Sequence, residues 1–136
     1  MTVTLSINGW PGHLPVTPTR WRTVLSPNGR VHWRDKHACM KKDLEAVLWA
    51  ARSYGSALPT EPWIEATVTI DLYLRTKGRR DADNLLASLK GVLDGIVQAG
   101  LIRDDDMDTI GVPTERVHVD PARAYSYEIT VVEEAS

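Results

Sequence analysis

One cysteine among 136 residues cannot close an intramolecular disulfide, so no disulfide framework holds this chain together. That residue, Cys39, follows His32 and His37 at a spacing that matches no common zinc motif, and it is expected to be a half-buried helix thiol. No eighteen apolar residues run together, which argues against a membrane-spanning helix. The opening MTVTLSINGW lacks both the basic start and the apolar stretch of a secretory signal. A cytoplasmic protein with no membrane partner is the expectation. Repeats, low-complexity tracts and linker-like stretches are also missing, so residues 1–136 are read as one domain.

What is present is ordinary for a soluble globular domain: 43% hydrophobic and 25% charged residues, enough for a single core. The net charge of -2 hides a segregation. Residues 1–80 carry twelve Lys/Arg against six Asp/Glu, and residues 81–136 carry four against twelve. A basic half beside a carboxylate-rich half suits a protein that holds polyanions and binds cations, although surface charge also segregates by chance.

Val3, Leu5 and Ile7 alternate with polar residues and predict a short first strand, stopped by Gly9, Pro11 and Gly12. Pro11 to Arg34 is rich in turn formers and reads as a long surface loop with Trp21 and Trp33 set among arginines. Met40, Leu44, Val47, Leu48 and Ala51 recur at helical spacing and predict a helix over about 37–53. Ile64 to Leu74 alternates strictly and predicts the clearest strand. A basic turn, Arg75 to Arg80, leads into a second helix from about Asn84 to Ala99, closed by Gly100. Apolar and β-branched residues over 110–119 and 124–132, separated by Asp120-Pro-Ala-Arg123, predict a C-terminal hairpin. The sum is a small α+β domain: a mixed or mainly antiparallel sheet of about four strands with two main helices.

Asp81 and Asp83 lie two apart where the basic turn enters the second helix, and Asp104-Asp105-Asp106 follows some twenty residues later. Oxygen-rich carboxylate clusters suit Mg²⁺, which binds a few carboxylates and completes its shell with water and phosphate oxygens. The competing reading is local: Asp81 and Asp83 cap the helix, and the acidic triplet is a solvated turn. Spacing alone leaves Asp105 away from Asp83. The second helix is about 24 Å long, and residues 101–105 span only roughly 17 Å when extended.

Taken together, Arg79-Arg-Asp-Ala-Asp-Asn-Leu85, Leu89-Lys-Gly-Val-Leu-Asp-Gly95 and Ala99-Gly-Leu-Ile-Arg-Asp-Asp105 resemble the signature of the RusA family of Holliday-junction resolvases. The resemblance covers about thirty residues, Arg79 to Met107, with a fainter similarity at Asn28-Gly-Arg-Val-His-Trp33. It implies a homodimeric α+β endodeoxyribonuclease that binds four-way junctions and nicks opposing strands with Mg²⁺ or Mn²⁺, with Asp81, Asp83 and Asp105 as catalytic metal ligands. The family motif also has a lysine four residues after the second aspartate. Ala87 holds that place here, and Lys90 is the nearest lysine, on the same helix face one further turn along. Lys90 is thus a displaced catalytic candidate or one half of an i,i+4 ion pair with Asp94.

Cations for DNA phosphates are plentiful: Arg20, Arg22, Arg30 and Arg34 in the loop, and Lys77, Arg79 and Arg80 in the basic turn. From Thr17 to Lys42 only Asp35 interrupts the basic run. Trp21 and Trp33 either stack on unpaired bases or pin the loop to the core. Two other functions fit the same residues: a branched-DNA-binding module with weak or no cleavage, and a Mg-nucleotide-handling enzyme.

Overall fold

A computed structural model of the chain describes residues 1–17, 20–26, 31–76 and 87–134. The strict alternation over 66–74 forms β4 (Ala66–Leu74), which takes a central position in a four-stranded sheet. Around it stand β1 (Thr2–Asn8), β5 (Thr114–Val119) and β6 (Ser126–Glu133) in the spatial order β1-β6-β4-β5. β6 runs antiparallel to both β1 and β4, and β5 runs parallel to β4. The fold is α+β with a mixed sheet, as expected from the pattern.

Because side chains alternate across a strand, one sheet face collects Val3, Leu5 and Ile7, then Tyr127, Ile129 and Val131, then Ala66, Val68, Ile70, Leu72 and Leu74, all buried. Two helices contribute to this core, α1 (Trp33–Arg52) and α2 (Lys90–Gln98). Val47, Ala51, Val92 and Ile96 belong to the same cluster. On the other sheet face Asp71 is also buried, but Arg116 donates to both its oxygens (2.7 and 3.0 Å) and His118 approaches at 2.8 Å. The Arg116 hydrogen bond, ahead of the other contacts, holds the Asp71 carboxyl below its ordinary value.

The two helices pack at glycines. A Cβ on Gly91 would lie 2.9 Å from the Met40 carbonyl oxygen, and one on Gly95 would lie 2.7 Å from Val47 Cβ. Each glycine weakens a helix interior by about 1 kcal/mol relative to alanine. Close approach to the Met40 backbone at Gly91 and to the Val47 side chain at Gly95, impossible for any larger residue, offsets that cost and sets the groove between the helices.

The segment read as an irregular loop contains a two-stranded ribbon, β2 (His13–Thr17) and β3 (Arg20–Thr23). Pro15 hid it, since proline removes a ladder donor and argues against a strand, yet an isolated ribbon has open edges that tolerate one. The register shifts between Pro15 and Thr17. Trp21 is pinned rather than free: its ring lies over Gly9 and meets Tyr125 edge-on, with Lys42 Nζ 5.1 Å away.

Other boundaries and contacts differ from the pattern. α1 begins at Trp33, four residues before the expected start, because the exposed His32 caps it by accepting from the Arg34 N–H at 3.1 Å. Ile64 is exposed and β4 starts at Ala66. The second helix is described over Lys90–Gln98, with Asn84 outside the described residues, and Gly100 ends it at φ +81°. Cys39 is fully buried, not half-buried; its Sγ sits 3.6 Å from the His13 carbonyl oxygen, and burial pushes its pKa up to about 12.

The expected C-terminal hairpin is replaced by a crossover. The Asp120 N–H bonds to the Leu74 carbonyl at 2.8 Å, so the turn passes over the end of β4, and β5 and β6 flank that strand instead of pairing. An apolar central strand buries more when it has a neighbour on each side.

Glu115 in β5 has a buried oxygen with no hydrogen-bond partner among the described residues, and desolvation raises its carboxyl to about 7. The folded state therefore holds this proton more tightly than the unfolded chain. Its stabilising contribution is complete below the ordinary glutamate range and is lost as pH rises through about 7. Relative to the parent, Glu115→Gln is expected to gain about 1 to 2 kcal/mol of stability between pH 5 and pH 8, read from urea unfolding at both values.

Candidate active-site cleft

Three segments converge on one cleft of about 540 Å³: Leu25 and Ser26 at the end of the ribbon, Lys36 and Met40 on α1, and Ala87, Lys90 and Leu93 in and just before α2, with Asp105 completing the wall. A second hollow of about 360 Å³, lined by His37, Met40, Lys41, Leu44 and Asp94, shares Met40 with it. The two form one groove along α1. Among the described residues its cations are Lys36, Lys41 and Lys90, and its carboxylates are Asp94 and Asp105.

Asp105 reaches the cleft because the chain turns back at once after α2. The positive φ at Gly100 reverses it, and Leu101 N–H bonds to the Ile96 carbonyl at 3.1 Å. Trp63 then clamps the returning segment: its N–H donates to Leu101 O at 3.0 Å, and its O accepts from Arg103 N–H at 2.9 Å. Leu101 and Ile102 are fully buried. Residues 101–105 thus run back alongside the helix, and Asp105 shares a cavity wall with Lys90 and Ala87.

The acidic run divides its work. Asp104 accepts from the Asp105 backbone N–H at 2.8 Å, which fixes the turn. Asp106 caps a short helix, α3 (Met107–Ile110), by accepting from Thr109 N–H at 2.9 Å, and this bond lowers its pKa. Asp105 is left facing the cleft. Partial burial raises its carboxyl first, followed by the hydrogen bond that its protonated form donates to Asp104 and by the charges of Asp94 and Asp104. A carboxylate held among other carboxylates is poised to gain from a nearby cation.

Lys90 is exposed and forms no ion pair with Asp94 among the described residues. Leu93 is half-buried in the cleft wall. Arg20 is exposed on β3, Arg34 is exposed at the start of α1, and Arg22 is tied to Asp35 at 3.1 Å. Asp81, Asp83, Arg30, Lys77, Arg79 and Arg80 lie outside the described residues. Among the described residues no three His, Cys, Asp or Glu side chains are grouped to hold a metal.

Three contributors were not singled out from sequence. Lys36 was one cation in a basic run, and nothing in its spacing distinguished it. Gly91 and Gly95 had a usable signal, since two glycines four apart inside a helix ask for a packing reason.

No family model matches the sequence. Over 78 residues the chain is 36% identical to an uncharacterized protein of Xylella fastidiosa (strain Temecula1), a match covering 55% of this chain and 50% of that protein. The chain therefore spans about half the length of that relative. No helix among the described residues is long and apolar enough to cross a membrane.

Proposed function

We propose that this chain is a RusA-like, metal-dependent endodeoxyribonuclease that cuts four-way or branched DNA, with its active site in the cleft between α1 and α2. One observation carries the reading. Asp105 and Lys90, distant in sequence and both drawn from the motif, line the same cleft as Ala87, four residues downstream of Asp83.

Asp105, Asp81 and Asp83 would hold Mg²⁺ or Mn²⁺; the Asp105 carboxyl, raised first by partial burial and further by Asp104 and Asp94, would be favoured in its ionised form by such a cation. When bound, the ion would polarise a phosphoryl oxygen and lower the pKa of water. Lys36 and Lys90 then offer point charges to the phosphates on either side of the cleaved bond, and Leu25, Met40 and Leu93 exclude water beneath it. Paired nicks in a two-fold symmetric junction call for a two-fold partner, so a homodimer is part of the proposal.

A second reading has its own observation. Ala87, at the position of the motif lysine, presents only a methyl group to the cleft, which suits a branched-DNA-binding module without turnover.

Incubating the purified protein with labelled four-way junction, linear duplex and single strand, with and without Mg²⁺, separates the two. Metal-dependent nicks on opposing junction strands are expected. Junction binding without nicking at any Mg²⁺ concentration would leave the binding module.

A further inference from the structure

Trp33 opens α1 and stands 68% exposed, a large apolar surface that the core does not use. Its neighbours Val31 and Met40 pack against the small cluster of Val24, Leu25 and Cys39, whereas Trp33 belongs to neither apolar cluster. Residues three and four apart share a helix face, so Trp33, Lys36, Met40 and Leu44 form one stripe. Lys36, Met40 and Leu44 line the groove, and Trp33 continues that line beyond its end.

The surroundings of the ring select what it can hold. The Arg34 guanidinium lies 5.5 Å from the ring centroid, and the His32 ring is tilted beside it at 5.6 Å. Among the described residues neither Arg34 nor Lys36 forms an ion pair; the acid in this turn, Asp35, is taken by Arg22. An exposed apolar ring with the unpaired Arg34 beside it and the unpaired Lys36 one helical turn further on matches a flat aromatic group carried on an anionic chain.

We propose that Trp33 is a stacking platform for an unpaired nucleobase at the end of the cleft, with Arg34 and Lys36 receiving the flanking phosphates. This rests on the nuclease reading above and specifies what that site takes: DNA with a single-stranded or unstacked segment rather than uniform duplex. Trp49 provides an internal control. It is equally exposed and has Arg52 5.5 Å from its ring, but it lies about 160° around the helix from Trp33, away from the stripe of Lys36, Met40 and Leu44.

The test measures affinity by fluorescence anisotropy in metal-free buffer over a salt series, for a duplex with a short dT gap and for the same duplex fully paired. Trp33→Ala is expected to weaken binding of the gapped DNA on the order of tenfold and to leave the paired duplex within about twofold. The slope of log affinity against log salt stays unchanged, because stacking releases no counterions. Trp33→Tyr keeps most of the affinity, and Trp49→Ala changes neither substrate. Equal binding of gapped DNA by Trp33→Ala and the parent would overturn the platform while leaving the nuclease reading intact. An equal loss on both substrates with a shallower salt slope would also overturn it, because that pattern marks a phosphate contact. A parent protein that binds neither DNA overturns the platform, whereas the nuclease reading stands or falls on junction nicking in Mg²⁺.

Discussion

Asp105→Asn is expected to slow metal-dependent cleavage of branched DNA by about a hundredfold or more while leaving the fold slightly more stable. Asparagine keeps the shape and the backbone turn made with Asp104 but removes the charge that a cation needs, and losing one such group at a phosphoryl-transfer site costs about that much. The stability change follows from the raised carboxyl. A folded-state pKa above the unfolded value means that the stabilising contribution is present at low pH and fades as pH rises through the folded value, so ionised Asp105 opposes folding at neutral pH. Removing it should raise stability slightly in metal-free buffer, an effect that solvent screening keeps small. Thermal melts and single-turnover cleavage, run side by side, check both halves. A variant that loses activity together with stability would point to a structural role for Asp105.

Gly12→Ala is expected to destabilise the protein by about 3 kcal/mol or more. Gly12 adopts φ +73°, which costs an ordinary residue about 1 to 2 kcal/mol. A Cβ there would lie 2.4 Å from Ser88 Cβ and 2.6 Å from its Cα, and relieving that overlap shifts backbone at a typical cost of about 1 to 3 kcal/mol. The same residue joins three parts of the fold. Its carbonyl accepts from Val24 and Leu25 N–H, both at 2.9 Å, and its N–H donates to Asp43 Oδ2 at 2.8 Å. Asp43 is buried, with Lys42 Nζ 2.7 Å away. The ribbon, α1 and the approach to α2 therefore meet at Gly12, and equilibrium urea unfolding should show an earlier midpoint with an unchanged slope.

How much of this was legible in the sequence depends on whether the signal was local. The period of two over β4 and the helical spacing of Val47 and Ala51 both reported true core faces, since each pattern follows from one element's own geometry. The deepest row of α1 is Cys39, Asp43, Val47 and Ala51, and Asp43 was invisible to any hydrophobic pattern because a charge marks it as surface. The parallel pairing of β5 with β4 was equally hidden. A short turn between two strands suggests a hairpin, and only the Asp120–Leu74 hydrogen bond across the end of β4 reveals the crossover.

The candidate site shows the same division. Three consecutive aspartates look alike in sequence, yet one fixes a turn, one faces the cleft and one caps a helix, according to where Gly100 and Trp63 send the chain. The return of Asp105 toward Lys90 could not be derived from contour lengths, which left it short. It required Leu101 and Ile102 to be buried against the core, a tertiary fact. Trp21 and Trp33, indistinguishable as tryptophans in a basic segment, separate into a pinned ring and an exposed one.

The claim that Asp81, Asp83 and Asp105 form one metal centre for DNA cleavage is tested most directly by measuring junction nicking rates in Mg²⁺ for the three single Asn variants and the triple variant. Groups that act as a unit are non-additive, so each single substitution should cost about a hundredfold or more and the triple no more than the worst single. Unimpaired nicking by any single variant, or losses that multiply in the triple, would contradict a shared centre.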